Sequence, residues 1–125
     1  MRIHIKRILV IDDQPGIRLL LTDILSSEGY QIMTAATGKE ALDKIYSNTF
    51  DLIILDYNIP IIDGAKLLET LEKEKKEVSA IVISGLTEKI MDKVNQSKSV
   101  KRVIAKPFNI SDFRQQVNAI LLETE

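Results

Sequence analysis

Three short, uninterrupted apolar runs, Ile8-Leu9-Val10-Ile11, Leu52-Ile53-Ile54-Leu55 and Ala80-Ile81-Val82-Ile83, limit what this chain can fold into more than any other feature. A strand with one wet face alternates apolar and polar residues, whereas a parallel strand covered by helices on both faces does not. Segments of helical length lie between the runs. Ile17, Leu20, Leu21, Ile24 and Leu25 share one helical face, as do Ile110, Phe113, Val117, Ile120 and Leu121. Tyr30-Gln31-Ile32-Met33-Thr34 and residues 101–105 are weaker strand candidates. Five alternations of strand and helix imply an α/β fold, a doubly wound five-stranded parallel sheet flanked by five helices. Local punctuation agrees: Thr37-Gly38-Lys39-Glu40 reads as a capping box, Pro15 suits the first turn of the first helix, and Gly29 suits its end. The helix expected over residues 87–97 has the thinnest apolar stripe, Ile90, Met91 and Val94, and is expected to be the most mobile element.

A chain of 125 residues, 45% apolar and 28% charged, has the size and balance of one domain with one core, so residues 1–125 are read as a single unit. No run approaches the roughly 18 apolar residues a membrane span needs, and the first six residues lack the apolar core of a signal peptide. A cytoplasmic, membrane-free protein is expected. The absence of cysteine removes thiol nucleophiles, disulfides and thiolate zinc sites. Seventeen basic against eighteen acidic residues leave a net charge of -1, with no global field to recruit nucleic acid or anionic lipid. Lys73-Glu74-Lys75-Lys76-Glu77 mixes both signs and reads as a solvated helix end.

Ligands of doubly wound sheets bind outside the carboxyl ends of the strands. The strand assignment sets Asp12-Asp13 after the first strand, Asp56 after the third, Ser84 after the fourth and Lys106 after the fifth. Each alone has an ordinary explanation in turn or cap chemistry; five at the same ends of four strands do not. Three carboxylates at one rim repel, because two unit charges about 4 Å apart cost about 4 kcal/mol at an effective dielectric near 20. A cation joins them or a pKa rises. All-oxygen donors suit Mg2+, with Mn2+ able to substitute, whereas zinc prefers His or Cys, and the one histidine, His4, stands in the solvated start of the chain. With Lys106 as a compact cation and Ser84 as a hydroxyl donor, Asp56 becomes a carboxylate nucleophile in a phosphoryl-transfer site.

Together, Asp12-Asp13, Leu55-Asp56, Pro60 with Asp63-Gly64, Ser84 and Lys106-Pro107-Phe108 resemble the receiver domain of bacterial response regulators in two-component signalling, in matching order and spacing from about residue 6 to 122. The resemblance implies strand order 2-1-3-4-5 and a phosphoryl group accepted on Asp56 from a phosphohistidine. It also implies a metal held by Asp12, Asp13, Asp56 and the backbone carbonyl of Asn58, with Ser84 and Lys106 on the phosphoryl oxygens and a cis Lys106–Pro107 bond. Residues 12–21 are similar to the opening of the single-domain receiver of the sporulation phosphorelay, which makes Gln14, Gly16, Ile17, Leu20, Pro107 and Phe108 candidate docking residues for a histidine kinase or histidine phosphotransfer protein. Pro15 stands where that receiver has an aromatic. Ile17 and Leu20 have core packing as their alternative role.

Receivers commonly carry an aromatic three residues before the lysine of Lys-Pro; here Val103 occupies that position, so an aromatic rotamer switch is unavailable. Lys98, Lys101 and Arg102 leave a basic patch nearby. The expected protein is a monomer that catalyses only its own phosphorylation and dephosphorylation, relaying a signal as a stand-alone receiver. The alternatives are a receiver fragment of a longer DNA-binding or enzymatic regulator, or a binding module that works unphosphorylated. An aspartate-nucleophile phosphatase would carry a second Asp two residues after Asp56, where Asn58 stands, and a flavin carrier would need a phosphate loop that Asp12-Asp13 would repel.

Overall fold

The computed structural model describes residues 4–57, 59, 62–85 and 97–123. Its strands are β1 (Arg7–Ile11), β2 (Gln31–Ala35), β3 (Leu52–Asp56), β4 (Ser79–Ser84) and β5 (Val100–Ala105), all parallel, in the order β2-β1-β3-β4-β5. The helices among the described residues are α1 (Pro15–Ser27), α2 (Gly38–Ser47), α3 (Gly64–Lys73) and α4 (Ile110–Glu123). Of the five expected helices, the one over residues 87–97 lies outside the described residues except for Ser97. Among the described residues no helix is long and apolar enough to cross a membrane.

The uninterrupted apolar runs are explained by two cores, one on each face of the sheet. Ile8, Val10, Leu52, Ile54, Ile81 and Ile83 face Leu21 and Leu25 of α1 and Phe113, Val117, Ile120 and Leu121 of α4. Their neighbours Leu9, Ile11, Ile53, Leu55, Ala80 and Val82 face Ala41 and Ile45 of α2 and Leu67, Leu68 and Leu71 of α3. Successive strand residues alternate between the faces, so every position of β3 is buried. The edge strands are wetter: Gln31 of β2 and Lys101 and Arg102 of β5 are exposed. Two residues assigned to the core faces turn outward instead, Leu20 at 38% exposure and Ile110 at 44%. Leu20 lies at the margin of the buried stripe of α1, and Ile110 is the first residue of α4.

Local chemistry sets where the helices start and stop. Pro15 opens α1, and Gly29, at φ +93°, supplies the left-handed residue just past its end. The Thr37 hydroxyl accepts from the Glu40 N–H at 3.1 Å, while the Glu40 carboxylate accepts from Ala36 N–H at 3.2 Å, so the capping box closes one residue earlier than expected. Asp63 caps α3 by accepting from Lys66 N–H at 2.8 Å, and α3 ends at Lys73 before an exposed charged stretch. Helices α1, α2 and α3 all begin at the edge of the sheet where the strands finish.

Candidate functional site

Strand register brings the acidic residues together. Ile11 of β1 pairs with Leu55 of β3, so the next residues, Asp12 and Asp56, leave the sheet side by side. Asp56 and Ser84 prove to be the last residues of their strands, not the first beyond them, because ladder pairing continues to Asp56↔Ile83 and Ser84↔Ala105. Asp12 is 2% exposed, Asp56 5% and Ser84 fully buried, whereas Asp13 is exposed. One carboxylate oxygen from each of Asp12, Asp13 and Asp56 lies within 4.8 Å of the others.

Lys106 closes the other side. Its Nζ stands 3.1 Å from Asp56 Oδ2, and its backbone N–H donates to the Ser84 carbonyl at 2.9 Å, which holds the ends of β4 and β5 together. The Lys106–Pro107 peptide bond is cis. The residue after Asp56 is tied down equally: Tyr57 N–H donates to the Ile83 carbonyl at 3.1 Å, and its carbonyl accepts from Gly64 N–H at 3.0 Å. Gly64 is required there, since a Cβ would stand 2.9 Å from both Tyr57 Cα and its carbonyl oxygen. Gly38, at the start of α2, is more tightly met, with a Cβ position 2.2 Å from the Ile62 carbonyl oxygen.

Burial pushes the Asp12 carboxyl above its ordinary value; the neighbouring Asp56 and Asp13 carboxylates push the same way, against the Gln14 N–H and Lys106, which favour the anion. Burial, with Asp63 nearby, likewise raises the Tyr57 hydroxyl. A site holding one exposed and two buried carboxylates, with one lysine beside them, lacks positive charge. An all-oxygen donor set of this size fits a hard divalent cation, and the absence of any His or Cys ligand disfavours zinc. Asn58, whose carbonyl was expected to complete the set, and Pro60 lie outside the described residues.

The expected docking residues divide. Gln14, Gly16 and Pro107 are exposed and Leu20 is half-exposed, all near the rim, whereas Ile17 and Phe108 are partly buried against the core, with the Phe108 ring 5.2 Å from that of Phe113. Val103 packs, partly buried, against the core shared with α2 and α3. Lys98, Lys101 and Arg102 are exposed on one edge. His4 is exposed and meets Asp51 at 3.3 Å, away from the rim. Arg18 escaped the sequence reading: its Nη1 donates to the Asp12 carbonyl at 2.8 Å. Six residues after Asp12, it reads in the sequence as a plain polar position on α1.

The profile of the family described as the response regulator receiver domain matches residues 8–118. The chain belongs to this family. Among curated relatives, this receiver is 36% identical over 118 residues to sporulation initiation phosphotransferase F of Bacillus subtilis, covering 93% of this chain and 94% of that one. It is 32% identical to the B. subtilis alkaline phosphatase synthesis transcriptional regulatory protein PhoP but spans only 50% of it, and it spans about half of several other transcriptional regulators. Among solved structures, the CheY-like receiver domain protein of Methanospirillum hungatei superposes with a TM-score of 0.88 at 30% identity, covering 96% of both chains. The response regulator TrrA of Thermotoga maritima, solved in complex with Mg2+-BeF, superposes with a TM-score of 0.82 at 36% identity, covering 93% of this chain and 99% of that one.

Proposed function

We propose that this receiver accepts a phosphoryl group on Asp56, in a reaction dependent on a divalent cation. The observation that carries the reading is the position of Asp56: buried at the end of the central strand, 3.1 Å from the Lys106 ammonium on one side and clustered with two further carboxylates on the other. A carboxylate oxygen of Asp56 attacks phosphorus of a phosphohistidine, the P–N bond breaks as the new O–P bond forms, and the released imidazole takes up a proton. Lys106 orients Asp56 and offers its remaining N–H donors to the incoming phosphoryl oxygens, and the Ser84 hydroxyl would turn to donate to another. Asp12, Asp13 and Asp56, with the Asn58 carbonyl, would hold Mg2+, which supplies charge neutralisation for the phosphoryl group; the Mg2+-BeF complex of TrrA supports that choice.

The phosphoryl donor is a histidine kinase or histidine phosphotransfer protein, docking over Gln14, Gly16, Leu20 and Pro107 with the edges of Ile17 and Phe108. The protein works in the cytoplasm as a monomeric single domain, spanning 1–125, that turns over no separate substrate. The near-complete overlap with sporulation initiation phosphotransferase F favours a stand-alone relay. The half-length overlap with transcriptional regulators favours a receiver joined to an output domain as the second reading. Incubation with acetyl phosphate and Mg2+, followed by intact mass, tests the assignment: the chain gains one phosphoryl group and Asp56→Asn gains none. An Asp56→Asn protein phosphorylated to the wild-type extent would refute it.

A further inference from the structure

We infer that Arg18 is a positioning residue for the acidic cluster, fixing where the Asp13 carboxylate stands by holding the Asp12–Asp13 peptide. The inference rests on the reading of the rim as a cation-dependent phosphoacceptor site. Every polar group of Asp12 is anchored. Its N–H donates to the Ala35 carbonyl of β2 at 3.0 Å, its carboxylate accepts from Gln14 N–H at 2.9 Å, and its carbonyl accepts from Arg18 at 2.8 Å. Asp13 differs: among the described residues it makes no hydrogen bond or ion pair of its own. The location of its carboxylate therefore depends on the backbone that precedes it. The Asp12 carbonyl and the Asp13 N–H lie in one rigid plane. A guanidinium on that carbonyl sets the tilt of the plane, and the tilt sets the direction in which the Asp13 side chain leaves.

Arg18 is built for this position. It lies in the first turns of α1, its own N–H bonded to the Gln14 carbonyl at 3.1 Å, and long helical side chains lean back toward the amino-terminal end. The charge brought there is chemically useful. An arginine paired directly with a carboxylate of the cluster would compete with the cation for the same oxygens. Bonded to a carbonyl, Arg18 lowers the local negative potential while both Asp13 oxygens stay open to a metal. A charge-assisted bond to a carbonyl is also stronger than a neutral one, so it restrains the turn more firmly than water would.

Three variants separate positioning from general stability. Arg18→Met keeps the unbranched stem and removes the donors, Arg18→Lys restores one donor and the charge, and Asp13→Asn serves as the reference for loss of the ligand. Two measurements are made on each: Mg2+ affinity by isothermal titration calorimetry, and the backbone amide chemical shift and heteronuclear NOE of Asp13 in the metal-free protein. We expect Arg18→Met to bind Mg2+ about tenfold more weakly, equivalent to about 1.4 kcal/mol, with a shifted Asp13 amide resonance and a lower NOE. Arg18→Lys should recover most of both, and the thermal midpoints should not track the affinities. If Arg18→Met binds Mg2+ as tightly as wild type and leaves the Asp13 resonance and NOE unchanged, the inference is overturned, even where Asp13→Asn has lost the metal. If wild type itself binds no Mg2+, the cation reading fails, and the metal-free Asp13 resonance and NOE still decide the role of Arg18.

Discussion

Replacing Gly38 by alanine tests how firmly the segment after Asp56 is seated. At an unobstructed helical position the change stabilises a protein by about 0.4–1 kcal/mol, because the unfolded chain loses freedom. Here the new Cβ would stand 2.2 Å from the Ile62 carbonyl oxygen, 2.7 Å from its Cβ and 3.0 Å from its carbonyl carbon. Non-bonded atoms pack best at about 3.5–4.0 Å, so Ile62 or the start of α2 must retreat by about 1 Å. Overpacking of this kind costs about 1–3 kcal/mol. The obstacle is backbone, not the tip of a side chain that could swing aside, which places the cost in the upper part of that range. A net loss of about 1–2 kcal/mol remains after the entropic gain. For a domain of this length that lowers the melting temperature by roughly 4–10 °C. Gly16→Ala is the internal control: it also sits near the start of a helix, and its Cβ would meet nothing within 4 Å, so its midpoint should rise by a few degrees. Scanning calorimetry of the two variants and wild type, without divalent cations, reads both effects. A Gly38→Ala protein as stable as Gly16→Ala would show that Ile62 yields freely and is not braced by α2.

Asp13→Asn should raise metal-free stability by about 1 kcal/mol through relief of repulsion, discounted because Asp13 is exposed, while weakening Mg2+ binding; unchanged Mg2+ affinity would remove Asp13 from the site. The raised carboxyl of Asp12 favours the protonated form in the fold, so its contribution is complete below the ordinary carboxyl value of 3.8 and is lost as pH rises through the raised native value. Urea midpoints of metal-free protein should accordingly carry a component that declines with pH over that window and vanishes in Asp12→Asn; the same pH slope in both proteins would contradict the assignment. With Val103 stiff and already packed, beryllofluoride and Mg2+ should alter hydrogen exchange within 57–64 and 84–97, and new dimerisation with changes spread through β5 and α4 would instead favour a regulator with an output domain.

How much of this was visible in the sequence follows from burial. The central strands β1, β3 and β4 declared themselves because helices cover both faces, leaving no polar alternation to confuse them with a surface strand. The edge strands were fainter, since Gln31, Lys101 and Arg102 meet solvent. Once the strands were placed, Asp12, Asp13, Asp56, Ser84 and Lys106 followed, because parallel connection sends every strand end to one rim. Apolar periodicity overstated the buried face at Leu20 and Ile110, where a side chain at a stripe margin or helix start satisfies the spacing without reaching the core. The braces were hidden for a different reason. Arg18, Gly38 and the contact of Gly64 with Tyr57 act on backbone atoms elsewhere in the chain, and backbone atoms are the same at every residue, so no residue pattern marks the partner.

Three bonds at the ends of β3, β4 and β5 form a closed linkage: Tyr57 N–H to the Ile83 carbonyl, Lys106 N–H to the Ser84 carbonyl, and the Lys106 ammonium to the Asp56 carboxylate. Only the last is made by side chains, so only the last is altered by chemistry on Asp56. Cutting it leaves two remaining pins, both hydrogen bonds between backbone groups at the end of the sheet. Work done at Asp56 is therefore not absorbed by sliding strands; it falls on the one side-chain bond, between Asp56 and Lys106. For the same reason the consequences of changing Asp56 and Lys106 will not sum, because the two side chains share that one bond.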